Sequence, residues 1–147
     1  MSPISVPRTL VEQSFRIFAE CGEGRHECVT YWVARQTNPN VVHRIIHPIH
    51  RAGPFDYQVD SDFVTKLFLD LRLANEMVRA QVHTHPRDAG HSSIDDNFAL
   101  APSTGFLSLV APDFGVGRRS LDDCYLVEMQ SDGTWLVLDP RTHLVLV

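Results

Sequence analysis

Two histidines separated by a single residue, His83 and His85, are the strongest chemical signal in the chain. Side chains alternate along a strand, so an extended His-x-His segment places both imidazoles on the same face. An aspartate follows ten or eleven positions after His85, at Asp95 or Asp96. Two nitrogens and one carboxylate oxygen leave the fourth position of a zinc ion open, as in catalytic zinc sites. The segment therefore predicts a catalytic site for a single Zn²⁺ ion.

The region that would supply the third ligand offers two choices. Neighbours on a helix point about 100° apart, so only one of Asp95 and Asp96 can take the ligand position. Two serines lie just ahead of them, Ser92 and Ser93, and each begins a Ser-x-x-Asp segment. A serine at this point can cap the following helix through its hydroxyl group.

Residues 82–86 followed by 92–96 resemble the signature of the JAMM (JAB/MPN domain) metallopeptidases: a distant glutamate, then His-Ser/Thr-His, a short loop and Ser-x-x-Asp. The spacing usual in that family favours Asp96, whereas the local sequence favours Asp95. The resemblance implies that Ser92 or Ser93 donates to the oxyanion formed during attack. It also implies a cytidine-deaminase-like α/β sandwich, in which a curved, mixed, mostly antiparallel sheet is flanked by helices.

The same resemblance implies a function and a set of partners. A compact bacterial member would be a zinc-dependent isopeptidase that removes or processes ubiquitin or a ubiquitin-like modifier, beside modifier-activating and conjugating enzymes. The alternative is a catalytically silent scaffold of the same fold. That alternative is disfavoured because silent members usually lose their metal ligands, and this chain keeps His83 and His85.

Hydrolysis also needs a base that takes a proton from water and returns it to the leaving amine. Glu27 opens a segment rich in β-forming residues and resembles the catalytic glutamate of the family, although residues 32–34 are bulkier than is usual there. Glu23 is the runner-up. Glu76 would lie over ~20 Å from His83 along the same strand. The alternative interpretation of Glu27 is a solvated charge at a strand end.

The other potential ligands show no recognised pattern. The chain has three cysteines and no Cys-x-x-Cys pair: Cys21, Cys28 and Cys124. They predict neither a disulfide framework nor a cysteine zinc site. Three further histidines lie close together in the sequence: His43, His47 and His50. Pro48 blocks a regular helix there, and we interpret the grouping as chance.

Length and composition predict one globular domain spanning residues 1–147. The net charge of −5 argues against a nucleic-acid-binding protein, which would carry a basic face. No stretch approaches about 18 apolar residues, and the first residues lack a basic region followed by an apolar run. We therefore expect a cytoplasmic protein with neither a membrane span nor a secretory signal.

Apolar periodicity predicts where helices and strands lie. Helices are expected at 8–20 and 61–71 and again from Ile94, with Thr9 and Glu12 as a capping box for the first and Asp60 or Ser61 capping the second. Strands are expected at 27–34, 41–46, 57–59, 77–83, 105–111, 125–130, 135–138 and 143–147, with a turn at 37–40. Helices interleaved with these strands give an α/β sandwich.

Overall fold

The computed structural model describes residues 3–87, 89–90, 103–117 and 120–147. In chain order, the elements of this described part are β1 (Ile4–Val6), α1 (Arg8–Gly22), β2 (Val29–Arg35), β3 (Asn38–Ile46), β4 (His50–Ala52), β5 (Tyr57–Val59), α2 (Ser61–Leu73), β6 (Glu76–Thr84), β7 (Leu107–Ala111), a 3-10 turn (Asp113–Gly115), β8 (Tyr125–Met129), β9 (Trp135–Leu138), α3 (Pro140–His143) and β10 (Leu144–Leu146).

A mixed sheet forms the centre of the molecule. Its strand order is β10-β1-β3-β2-β6-β7-β8-β9, and β4 and β5 form a separate hairpin. Strand β6 lies antiparallel to β2, with Val29 opposite His83, and parallel to β7, with His83 opposite Val110. Strand β1 runs parallel to both β3 and β10. This mixed sheet with flanking helices confirms the predicted α/β fold.

Both faces of the sheet are covered. Helix α1 packs Phe15 and Phe18 against one face, which includes Trp32 and Val82. The second face is covered by α2 and the β4–β5 hairpin, and its core cluster is Val29, Tyr31, Val33, Tyr57, Leu67, Leu71, Val78, Phe106 and Met129. Because side chains alternate along β2 and β6, Val29 and His83 lie on the face covered by the hairpin.

Helices α1 and α2 begin and end near the predicted positions, but one cap differs. The helix predicted from Ile94 lies outside the described residues. Asp60 caps α2, because its carboxylate accepts a hydrogen bond from the Phe63 N–H at 2.9 Å. The capping box predicted from Thr9 and Glu12 is wrong: Pro7 occupies the N-cap of α1 and makes no side-chain cap bond. Proline has its φ preset for a helix entry, so this helix starts without a hydroxyl cap.

The predicted turn at 37–40 is also wrong. Residues 36–37 form the turn, and Asn38 to Asn40 already belong to β3. Register shifts around Ala34 show that the end of the β2–β3 pair is irregular. Pro39 is accommodated there, and its carbonyl accepts a 2.9 Å bond from Arg79 Nε. Within the described residues, no helix is long and apolar enough to cross a membrane.

Candidate active site

The two histidines of the His-x-His segment lie together at one end of β6. Their ring centroids are 5.2 Å apart and the ring planes are inclined by 54°. His83 is fully buried, whereas His85, one residue beyond the strand, is half-buried. The His85 N–H donates to the Ala111 carbonyl at 2.9 Å, and its carbonyl accepts from the Phe114 N–H at 2.7 Å. These bonds hold His85 in line with the strand.

Thr84, between the two histidines, joins β6 to the chain that precedes β2. Its side chain is fully buried, and its hydroxyl accepts a hydrogen bond from the Cys28 N–H at 2.9 Å. The Thr84 N–H donates to the Cys28 carbonyl at 3.0 Å. The pairing of β2 with β6 therefore continues to Cys28, beyond the first residue of β2.

Glu27 is the residue that follows in this pairing. Since Val29 lies opposite His83 and Cys28 bonds to Thr84, the next position places Glu27 beside His85. Strand alternation puts Glu27 on the face of Val29. Only 3% of Glu27 is exposed, so the interpretation of this residue as a solvated strand-end charge is wrong.

The hairpin β4–β5 forms a wall of the site. The Glu27 N–H donates to the Gly53 carbonyl at 2.8 Å, so the turn of the hairpin lies against the glutamate. The Tyr57 ring, on β5, lies 5.4 Å from the His83 ring between centroids. Phe55, at the tip of the hairpin, is 77% exposed.

The two other glutamates considered as the base, Glu23 and Glu76, make contacts away from His83 and His85. Glu23 follows α1, and its exposed carboxylate lies 2.9 Å from the Arg25 guanidinium. Glu76 lies at the opposite end of β6 from the histidines, where Arg44 donates two hydrogen bonds of 2.9 and 2.8 Å to its carboxylate. The hydrogen bonds from Arg44 lower the pKa of Glu76, with a further contribution from His43.

Comparison with known proteins finds relatives in sequence and in fold. No protein-family model matches the sequence. The chain is 29% identical over 134 residues to the "Probable metalloprotease y4jG" of Sinorhizobium fredii, and the match covers 88% of this chain and 82% of that protein. Its fold is similar to that of AF2198, a JAB1/MPN domain protein from Archaeoglobus fulgidus, with a TM-score of 0.55, 13% identity and 100% of both chains covered. The chain therefore has the fold of a JAB1/MPN domain protein and is similar in sequence to a probable metalloprotease.

A second solved structure has the same fold over nearly the whole chain. Protein DSY2949 from Desulfitobacterium hafniense superposes with a TM-score of 0.68 at 16% identity. That superposition covers 98% of this chain and 92% of the other.

The described part of the candidate site fits a divalent metal ion. Two imidazoles converge from one strand end, and imidazole nitrogen is a favoured ligand of zinc and of neighbouring transition metals. A buried carboxylate stands at the adjacent strand position. The remaining predicted site residues lie outside the described residues, so their roles stay predictions: Ser92, Ser93, Asp95 and Asp96.

The structure also assembles a group that the sequence interpretation kept apart. One sulfur or ring nitrogen from each of four residues lies within 4.8 Å of the other three: Cys21, Cys28, His47 and His50. The sequence patterns predicted no cysteine zinc site and left the histidine grouping to chance, whereas the structure brings two of these cysteines and two of these histidines together. In an antiparallel β2–β3 pair the start of β2 meets the end of β3, which brings Cys28 near His47. An antiparallel register for the two predicted strands would have placed Cys28 near His47.

The ionisation of these four side chains is mutually dependent. Hydrogen bonds from Cys28 and, to a smaller extent, from the two imidazoles lower the pKa of Cys21 to about 4, against the opposing effect of burial. The bond to Cys21 and then burial raise the pKa of Cys28. The bond to Cys21 likewise raises the pKa of His50. The hydrogen bond between Cys21 and Cys28 therefore shifts the pKa values of the two thiols in opposite directions.

Proposed function

We propose that this chain is a zinc-dependent peptidase of the JAMM family. The observation that carries the proposal is Glu27, a carboxylate 3% exposed at the strand position beside His85 and on the face that holds His83. Burying a carboxylate is costly unless the protein uses or compensates it. A base held next to two converging imidazoles supports hydrolysis more directly than it supports a structural role.

In the proposed mechanism, metal binding and proton transfer are carried out by different residues. Zinc supplies a water that is nucleophilic near neutral pH and polarises the scissile carbonyl. In this proposal His83, His85 and either Asp95 or Asp96 hold the ion. Glu27 accepts the proton of the attacking water and donates it to the nitrogen of the leaving amine, which balances the hydrolysis.

The oxyanion that develops on the scissile carbonyl needs a donor. Ser92 or Ser93 would provide its hydroxyl there, in agreement with the motif in which both serines stand. A single well-placed donor of this kind is worth about 10²–10³-fold in turnover.

For the substrate we propose an isopeptide or amide bond at the end of a ubiquitin-like modifier. The motif resemblance supports this class, and so does the surface beside the site. Phe55 and Ile49 are 77% and 64% exposed on and beside the hairpin that contacts Glu27. In this proposal a folded substrate covers these two apolar side chains when it binds.

The test of catalysis is Glu27→Gln, assayed on a modifier joined to a lysine side chain. Hydrolysis should fall by about 10²–10⁴-fold, because the amide cannot accept the proton. Zinc content and the circular dichroism spectrum should not change, since Glu27 is a base and not a ligand. Glu23→Gln is the matched control and should leave the rate near that of the wild type.

Two outcomes would contradict the assignment. Full activity of Glu27→Gln together with loss in Glu23→Gln would move the base to Glu23. Absence of hydrolysis by the zinc-loaded wild type, on both the conjugate and a short peptide, would favour the silent scaffold. Phe55→Ser separates the substrate class from the chemistry: it should weaken hydrolysis of the conjugate and spare that of a short peptide.

A further inference from the structure

Four potential ligands converge at a place distinct from the two histidines of β6. Cys21 Sγ lies 3.4 Å from His50 Nε2, and Cys28 Sγ lies 3.5 Å from His47 Nε2. Each of the four ligand atoms is within 4.8 Å of the others. We propose that these residues form a second metal site, a closed structural site of the zinc class with two sulfur and two nitrogen ligands.

The separations agree with tetrahedral coordination. Zinc binds sulfur at about 2.3 Å and imidazole nitrogen at about 2.0–2.1 Å, so the edges of such a tetrahedron measure about 3.3–3.8 Å. The two sulfur–nitrogen distances already have this length. The longest separation in the group, at most 4.8 Å, needs a contraction of only about 1 Å on binding.

The His50 ring is oriented for the role of a ligand. Its Nδ1 lies 2.9 Å from the Pro48 carbonyl, and that oxygen can only accept, so Nδ1 carries the proton that is donated. The Nε2 atom therefore faces Cys21. Metal-bound histidines typically donate their second nitrogen to a carbonyl or carboxylate in this way, which fixes the ring.

The local backbone brings the four residues together. Helix α1 ends at Gly22, and the next two residues, Glu23 and Gly24, adopt left-handed φ values of 52° and 69°. The chain reverses there, and Cys28 returns to the end of the helix, where its sulfur lies within 4.8 Å of the Cys21 sulfur. A site with four protein ligands leaves no position for substrate, which is the pattern of a structural site.

The charges also favour a divalent cation. Two thiolates and two neutral imidazoles sum to −2, which cancels the charge of Zn²⁺. Cys28 is fully buried, and an ion would neutralise a thiolate that is costly to bury by itself. A disulfide is the competing use of these sulfurs, yet both cysteines are free thiols in the structure. A disulfide would also leave the convergence of His47 and His50 unexplained.

An ion at this position would act on the catalytic residue, a consequence that rests on the proposed function. Cys28 directly follows Glu27, and His50 opens the hairpin whose Gly53 carbonyl accepts the Glu27 N–H. The ion would link Cys28 and His50, the two residues through which the backbone on either side of Glu27 is held. The ligands would then be positioning residues for Glu27, and losing the ion should lower kcat more than it changes KM.

The test measures metal in the full chain, purified under reducing conditions with zinc. The wild type should contain about two zinc ions per chain, and His83→Ala/His85→Ala should retain about one. In that double-variant background, adding Cys21→Ser or His47→Ala should remove the remaining ion. His26→Ala, in the same loop region but outside the group, is the control and should retain it.

Cobalt gives a readout that is independent of activity. After exchange into Co²⁺, the His83→Ala/His85→Ala protein should show a thiolate-to-cobalt charge-transfer band, which the site on β6 cannot produce because it has no sulfur ligand. The band should disappear in Cys21→Ser. His47 is exposed, so His47→Ala gives a second variant that should fold if the serine variant does not.

Failure of this proposal is distinguishable from failure of the peptidase assignment. A double variant with neither zinc nor a charge-transfer band, or a Cys21–Cys28 disulfide found by non-reducing mass spectrometry, would overturn the second site. If instead that variant keeps its ion and its band while the wild type hydrolyses nothing, the second site stands and the proposed function fails.

Discussion

The hydroxyl of Thr84 offers a quantitative test of how the candidate catalytic segment is held in place. It accepts the Cys28 N–H at 2.9 Å from a fully buried position between the two histidines. Thr84→Val replaces the hydroxyl with a methyl group of similar size and leaves the N–H buried without this acceptor. Thr84→Ser keeps the hydroxyl and removes only the methyl group.

The two variants should differ in the size of their effects. An unsatisfied buried donor costs about 1–3 kcal/mol, so Thr84→Val should lower the free energy of unfolding by about 2 kcal/mol. Loss of one buried methyl group in Thr84→Ser should cost about 0.5–1.5 kcal/mol. In a domain of this size, each 1 kcal/mol corresponds to about 2–4 °C in Tm. Thr84→Val should therefore melt at a lower temperature than Thr84→Ser.

Urea unfolding at a fixed zinc concentration measures the difference, with the m-value as a check that the transition stays two-state. Because Cys28 adjoins Glu27, Thr84→Val should also lower kcat, by roughly 10-fold or more if the base moves by a fraction of an ångström. A valine variant that is as stable and active as the wild type, with the serine variant weaker, would refute the reasoning: packing of the methyl group would then matter and the hydroxyl would not.

Two further predictions concern the metal ligand and the distant ion pair. Asp95→Asn and Asp96→Asn should differ, with one losing the ion held by the β6 histidines and the other retaining most of it; equal retention in zinc analysis would exclude both as ligands. Arg44→Met should lower the free energy of unfolding by about 1.5–3 kcal/mol at neutral pH, because Glu76 is only 8% exposed and would lose two charged hydrogen bonds.

The Arg44 effect should depend on pH in one direction. Arg44 lowers the pKa of Glu76 in the folded state, so the stabilisation is present above the unfolded pKa of about 4.3 and is lost as the pH falls through the folded value. Urea unfolding should therefore show a difference between wild type and variant that shrinks below about pH 4. A difference that stays constant across this range would contradict the assigned role of the ion pair.

What the sequence predicted well is local. The His-x-His alternation follows from strand geometry alone, and the hydrogen bond from Asp60 to Phe63 follows from cap chemistry within one turn of helix. These features depend on neighbours along the chain, so a pattern of a few residues contains the information. The same holds for β8 and β9, which lie within the strands predicted at 125–130 and 135–138.

What the sequence did not predict is determined by pairing between distant segments. The burial of Glu27 depends on Gly53 and Thr84, which lie 26 and 57 positions away in the chain. The approach of Cys21 to His50 depends in the same way on the return of the chain after α1. Composition and residue spacing cannot predict the burial of Glu27 or the contact of Cys21 with His50, because the register of the sheet specifies such contacts.

Strand β1 has a consequence for the order in which the fold can be assembled during synthesis. Its partner on one side, β10, pairs Leu144 with Ile4, and the backbone of Val147 bonds to both Val6 and Arg8. A ribosome that releases the chain from its first residue leaves that side of β1 unpaired until residues 144–146 have emerged. An open strand edge is a template for aggregation, but β1 contains only three residues. The strand edge that stays unpaired until β10 has been synthesised is therefore very short.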